Sequence, residues 1–396
     1  MPTHSPPFIT SFPDFLMNLY TTLFTMAAPL KHWRSWSPFR LDALGLLTML
    51  GADEMSREIG SLSANTLVSW MSLLGGNVVP SDAFVDPLHG YTLYNISDAI
   101  QSTSLAGWFS RWLLAQHPSQ NTSLFVWSTR SYPRHHGHRA LAIGTIVNTC
   151  ILALSLLVGD YYGLASALCM DFGIIIRAYL VAQNRDAIDR AAADTSIHSH
   201  DLVRTFIILA NGKATTVIAP RNVVVNCFLS TPKIAHPTFY AIARAMGWFA
   251  FVGLIVTVGQ AVLVVQIAII IVTVSATVLT AFGIGTVGDG VGKSLQVARS
   301  EHPNRHGRRG EAYAMLHLNK EEEDTMIDWA LFPQRRNQNW WNQYRTYKAI
   351  DSKIIDVFED SATEGKTLKA SSFRGSTLTE EKSAATTAKV QELKTE

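Results

Sequence analysis

The stretch AMGWFAFVGLIVTVGQAVLVVQIAIIIVTVSATVLTAFGIGTVG, from Ala245 to Gly288, contains no Asp, Glu, Lys or Arg. A helix rising 1.5 Å per residue crosses a bilayer core of about 30 Å with about 20 apolar residues. The run therefore suits two membrane spans joined by a tight turn near Gly259 and Gln260. With the residues leading into it, it predicts spans at about 238–258 and 261–283 (hairpin 2, residues 238–283).

Working outward, Ala140 to Ala182 repeats the arrangement around Asp160, predicting spans at about 140–159 and 161–182 (hairpin 1, residues 140–182). Buried helices of a soluble domain are the competing account. A soluble helix normally has a polar face, however, and Leu141 to Val158 has almost none. The expected fold class is an all-α transmembrane helical bundle, four spans as two hairpins, with a small cytoplasmic β-meander.

The chain has 396 residues, a net charge of +2 and 16% charged residues, and the charges lie mostly outside the spans. Arg130, Arg134 and Arg139 precede the first span, and Arg185 and Arg190 follow the second. Arg244 stands at the entrance of the third, while Lys293, Arg299, Arg305, Arg308 and Arg309 follow the fourth. The turns at Asp160 and Gln260 have no Lys or Arg. The positive-inside bias thus predicts an integral membrane protein with both termini and the central loop cytoplasmic. Sequons at Asn95-Ile-Ser97 and Asn121-Thr-Ser123 are read as unused, because lumenal placement would put the Arg-rich approach to Ala140 on the wrong side. Cys150, Cys169 and Cys227 form no disulfide framework and read as small apolar side chains.

Residues 1–139 read as a cytoplasmic or interfacial region with amphipathic helices. Phe15 to Leu30 is too short for a span and lacks the basic residues of a secretory signal, so an interfacial helix is expected there. Thr103 to Gln116 sets Leu105, Trp108, Trp112 and Leu113 on one side, with Arg111 off it, as for a helix lying on the membrane or on the bundle. In the loop 183–237, Thr205 to Leu209 and Thr215 to Ala219 flank Asn211-Gly212, predicting a hairpin with a two-residue type I′ turn. Asn222 to Leu229 supplies a third strand.

The glycines from Gly283 to Gly292 invite nucleotide-binding readings that fail on context. GxGxxG is matched by Gly283, Gly285 and Gly288, but a membrane helix precedes it instead of a strand. A phosphate loop ending at Gly292-Lys293 would need glycine where Val287 stands. A flexible exit from the fourth span is expected instead. Residues 284–360 read as a cytoplasmic, helical, membrane-surface region. Asn319 caps a helix opening with Glu321, Glu322, Glu323 and Asp324. Trp340 and Trp341 with Arg335 and Arg336 form a candidate membrane-interface anchor, with packing against the cytoplasmic domain as the alternative. The Ser/Thr-rich tail, 361–396, is expected to be disordered.

Asp171 falls near the middle of the second span, where an ionised carboxylate costs about 2.5 to 3.5 kcal/mol. Asn148 on the antiparallel first span lies at a similar depth, and a hydrogen bond between the two is predicted. Arg177 is expected to snorkel to the cytoplasmic edge. Asp171 and Asn148 serve either as structural glue or as part of an ion, proton or solute path. His135, His136, His138, His198 and His200 lack a zinc spacing, and no catalytic triad or paired carboxylates stand out. No metal, cofactor or enzymatic activity is expected.

At Asp160-Tyr-Tyr-Gly163, Asn211-Gly-Lys213, Ala219-Pro-Arg221 and Glu321-Glu-Glu-Asp324, followed by Leu331-Phe-Pro-Gln334 and Trp340-Trp341, the chain resembles a family of fungal multispanning integral membrane proteins of uncharacterised activity. The resemblance covers residues from about 140 to 348. It implies membrane residence and a fungal source, and lends no activity or site. Two functions stay open, a membrane scaffold or adaptor with cytoplasmic interaction surfaces and a channel or transporter subunit using Asp171. The partners in view are the lipid bilayer, cytoplasmic proteins and further copies of the chain, with no nucleic acid.

Overall fold

Residues 33, 35–36, 70–73, 79–80, 85–116, 123–129, 137–195, 201–281, 290–301 and 308–349 are described by the computed structural model. The helix expected at Phe15 to Leu30, Asn121, the histidine side chains at 135–138 and 198–200, and the tail 361–396 lie outside them. In chain order the elements are β1 (Thr92–Asn95), β2 (Ile100–Ser102), α1 (Gly107–Ala115), β3 (Ser123–Thr129), α2 (Gly137–Val158), α3 (Tyr161–Ala193), β4 (Leu202–Ile208) and β5 (Ala214–Pro220). There follow a helical turn Arg221–Val223 continued as π-helix Val224–Leu229, α4 (Pro237–Val258), α5 (Leu263–Ala281), β6 (Gly290–Val291), β7 (Leu295–Glu301), α6 (Arg309–Ala314), α7 (Lys320–Asp328) and α8 (338–349).

Helices α2, α3 and α4 are long and apolar enough to cross a membrane, while the apolar part of α5, Leu263–Leu279, is shorter. Large apolar side chains on them, Ile146, Ile175, Phe249, Val256 and Ile271 among others, point away from the protein. So large an outward apolar surface suits lipid and not water. Helix α3 does not end at residue 182 as the hydropathy implied. It has 33 residues, about 50 Å at 1.5 Å each, and its charged last turns bury Asn184, Arg185, Ala187, Ile188 and Ala192. A helix follows its packing partners beyond the point where the lipid-compatible composition stops.

Helix α4 lies along α3, and α5 leans on α2 and α3, so the two arms of the second hairpin scarcely approach each other past their turn. Small residues set the α3–α4 contact, with Gly173 facing Ala250 and Gly253 facing Cys169.

The expected three-stranded meander is replaced by a seven-stranded mixed sheet, ordered β2-β1-β4-β5-β3-β7-β6, in which only β3 and β5 run parallel. Its strands come from before α2, between α3 and α4, and after α5, so one side of the helices carries the whole sheet. The region before residue 139 thus supplies three strands, and the exit from α5 supplies a β-hairpin where a flexible linker was expected. The run 222–229 is helical and not a strand. Val223, Val224, Cys227 and Phe228 are buried at helical spacing. Asn222 and Asn226 donate to the carbonyls of Ala192 and Asp194 (2.7 and 3.0 Å) at the end of α3. The β4–β5 turn is also longer than two residues. Only Gly212 has positive φ there (77°), whereas a type I′ turn needs two such residues, and Leu209 N–H closes the loop on the Lys213 carbonyl.

Both sheet faces are covered. On β3, Phe125 and Trp127 point to one side and Leu124 and Val126 to the other, as strand alternation requires. The first side packs on α1, the π-helix and the end of α3. The second is covered by α6, α7 and α8. Helix α1 is therefore internal, and Arg111, though off its apolar side, is buried and donates to the carbonyls of Asp86 and Gly107.

Candidate functional site

Between Glu58 and Asp82 the chain carries no charge, and two pieces of this run, residues 70–73 and 79–80, thread among the four long helices. Arg177 of α3 donates to the Met71 carbonyl, and Arg244 of α4 donates to the Pro80 carbonyl at 2.9 Å. Ser72 and Thr273 of α5 share a hydrogen bond at 3.2 Å. On α2, a Cβ at Gly144 would lie 2.7 Å from the Trp70 Cβ, and on α4 one at Gly247 would lie 2.6 Å from the Pro80 Cγ. Glycine at both positions lets this strap come close. Counting 1.5 Å per residue from the far turns, Thr273 and Arg177 lie about 15 and 24 Å into the bundle. Irregular backbone at such depth persists where protein groups satisfy it, as the two guanidinium groups do for the Met71 and Pro80 carbonyls. Arg177 is only 4% exposed and thus does not snorkel outward. The signal that was overlooked is the charge-free run itself, interrupted by Gly75, Gly76 and Pro80.

Elsewhere in the bundle most polar groups are spent on the chain itself. Asp160, in the turn between α2 and α3, accepts from Val262 N–H at 2.6 Å and so ties the two far turns together. Gln266 donates to the Val258 and Ala261 carbonyls, both at 2.9 Å, and Ser166 donates to Thr257 at 2.9 Å. Asp171 and Asn148 are the exception. The predicted hydrogen bond does not form, and Asp171 Oδ1 and Asn148 Oδ1 are each sealed from solvent with no hydrogen-bond partner. Equal depth on neighbouring helices did not ensure that the two side chains meet, because the azimuth of each helix is set by its own packing.

On the sheet side, the candidate anchor residues Trp340, Trp341 and Arg335 pack against the domain, as the alternative reading had it. Trp341 is 2% exposed and packs with Phe332 and Tyr344, with Trp340 against the same group. Arg335 stacks on Trp341, 4.1 Å from the ring centroid, and pairs with Glu323 and Asp324 at 3.0 and 2.6 Å. Only Arg336 of the four is exposed. Rings and cations that suit a lipid headgroup region also suit one another when acidic residues lie nearby. The turn at Gly292-Lys293-Ser294 holds an anion, though an internal one. The Asp189 carboxylate of α3 accepts from Lys293 N–H at 2.8 Å, Ser294 N–H at 3.0 Å and the Ser294 hydroxyl at 2.6 Å. Asn95 is fully buried and donates to Asp98 at 2.8 Å, leaving no room for a glycan in this fold.

Burial, helped by the Asp189 charge, pushes the Cys227 thiol up to about 12, so it is an inert core group. Burial likewise raises the Tyr313 phenol to about 12, against the opposing pull of Arg309. Among the described residues no three His, Cys, Asp or Glu side chains are placed to share a metal. No known protein family, characterised protein or solved structure matches the chain.

Proposed function

We propose that the protein is a membrane scaffold or adaptor, anchored by four spans in two hairpins and presenting the sheet domain on the cytoplasmic side. The observation that carries this is how the polar groups inside the bundle are used. Asp160, Arg177, Arg244, Gln266, Ser72 and Thr273 bond to the chain's own backbone or to each other, which stiffens the bundle. The sheet, sewn from segments flanking both hairpins, is held on the spans as a single platform. Cytoplasmic placement draws support from the Arg and Lys distribution and from the buried Asn95.

Purified protein in proteoliposomes tests this. A scaffold leaves proton and potassium permeability at the level of empty vesicles, and crosslinking in native membranes joins sheet-domain lysines to other proteins. Flux above the empty-vesicle level that falls in Asp171→Asn would overturn it. Such flux would favour a channel or transporter subunit. That second reading is kept because Asp171 Oδ1 has no hydrogen-bond partner.

A further inference from the structure

We propose that the outward side of the first hairpin, α2 and α3, is a docking face for a second copy of this chain, with Asn148 of each copy bonded to Asp171 of the other inside the bilayer. The pairing requires the four long helices to lie in a bilayer, and does not depend on whether the protein is a scaffold or a transporter.

The two side chains do not satisfy each other within one chain. Asp171 Oδ1 and Asn148 Oδ1 are sealed without a hydrogen-bond partner, yet both residues are only half-buried, at the border of the outward face. A polar group left so in hydrocarbon is costly, and a matching group on a neighbouring helix relieves the cost. The flanking residues show which face is open. On α2, Leu141, Thr145, Asn148 and Leu152 follow at steps of four, three and four residues, and on α3 Leu164, Leu168, Asp171, Ile175 and Ala178 alternate steps of four and three. None of them is buried. Such steps draw one stripe along a helix, the seam by which helices pair, and a single polar residue within a seam fixes its register. Helix α4 leaves the stripe on α3 uncovered, because it packs on Cys169 and Gly173, each two residues and hence about 200° round from Asp171. Depth selects the occupant. Asn148 stands 12 residues before Asp160 and Asp171 stands 11 after it, which puts both about 17 Å below the far turn. A two-fold axis along the membrane normal keeps every residue at its own depth and makes each contact reciprocal. Asn148 of one copy then meets Asp171 of the other, twice, with Nδ2–H donating and Oδ2 accepting. Asp171 against Asp171 would instead oppose like groups. A second copy carries both groups at the required depth by construction.

The test places the full-length chain in liposomes at a low protein-to-lipid ratio and reads the dimer fraction by energy transfer between two labelled populations. The unmodified chain is expected to dimerise. Asn148→Leu alone and Asp171→Leu alone are each expected to weaken the dimer about tenfold through the lost interhelical hydrogen bonds, while leucine suits a span and leaves insertion intact. Mixing the two variants restores one complete pair, Asp171 of one population with Asn148 of the other, so mixed dimers are expected to exceed either self-dimer. The exchange of Asn148→Asp together with Asp171→Asn keeps both pairs and is expected to dimerise as the unmodified chain does. For position, Cys150, Cys169 and Cys227 are replaced by Ala and single cysteines are introduced. Residues 145 and 175 lie 15 residues either side of Asp160, and oxidation is expected to join Thr145→Cys copies to Ile175→Cys copies. Copies carrying Phe249→Cys, exposed on α4, are expected to stay unlinked. A monomeric unmodified chain, dimers that persist in both leucine variants, mixed dimers no stronger than self-dimers, or linking through Phe249→Cys in its place would each overturn the proposal and leave the bilayer reading standing. Release of the unmodified chain from vesicles by alkaline carbonate would overturn both.

Discussion

The sheet domain and the helical bundle use the same residue types for opposite ends. In the domain, Trp108, Phe109, Trp112, Trp127 and Phe228 turn inward and pack on one another, with Phe109 and Phe228 stacked at 3.8 Å and Trp112 and Trp127 meeting edge to face at 4.7 Å. In the bundle, Trp248 and Phe249 turn outward, at 41% and 78% exposure. Water drives the first arrangement through burial of aromatic area. In lipid that drive between helices is missing, and close packing at Gly173 and Gly253, with hydrogen bonds such as Ser166 to Thr257, holds the second together. Side-chain hydrophobicity alone does not say which way a residue points. The solvent around the element does.

The contrast can be broken most directly at the aromatic core. Trp127→Ala is expected to destabilise the domain by about 3–5 kcal/mol, as a large cavity in a closed aromatic cluster does, read as a lower denaturation midpoint of the domain in detergent. Next comes the strap. Arg177→Met removes the donor to the Met71 carbonyl and should cost about 1–3 kcal/mol, read as a lower melting temperature with the secondary structure retained. A comparable effect comes from pH. The Cys227 thiol is raised from 9.0 to about 12 in the folded state. The unfolded chain therefore releases this proton first as pH rises, and stability is full below pH 9 and falls above it. The slope approaches about 1.4 kcal/mol per pH unit for one such group. Cys227→Ala should flatten the fall between pH 9 and 12, and an unchanged slope would assign it to other groups.

Smaller effects sharpen the comparison. Asn319 and Glu322 form a reciprocal capping box at the start of α7, with two hydrogen bonds of 2.8 Å. Asn319→Ala should cost about 1 kcal/mol, measured by urea denaturation of the domain. Trp248→Ala, on the outward face of α4, should change stability by less than about 0.5 kcal/mol in the same detergent. A loss near that of Trp127→Ala would mean that Trp248 is covered by protein in the membrane.

What was legible beforehand followed from solvent and local chemistry. The long apolar helices stand out because Leu141 to Val158 and the run from Ala245 carry no charge over the length of a span, and Asn319 announces its helix because its cap is satisfied within four residues. The β4–β5 hairpin was likewise visible in its turn residues. Strands β1, β3 and β7 were not, because their partners lie far away in sequence. Ser123–Thr129 is buried on both faces and shows no alternation to read, and it pairs with residues near 215 and 298. The valines of 222–229 favour a strand on composition and were bent into a helix by their contact with the end of α3.

The sequence by itself marked out the long apolar helices, the turns between them and the basic residues that flank them. Only the tertiary structure decided which polar groups meet. It set Arg177 on Met71 and not at the membrane edge, kept Asn148 apart from Asp171, and stacked Arg335 on the buried Trp341. Hydropathy is a sum over neighbours along the chain, so one sequence carries it in full. A hydrogen bond depends on the rotation and depth of two helices or strands at once, and those are settled only when all of them pack.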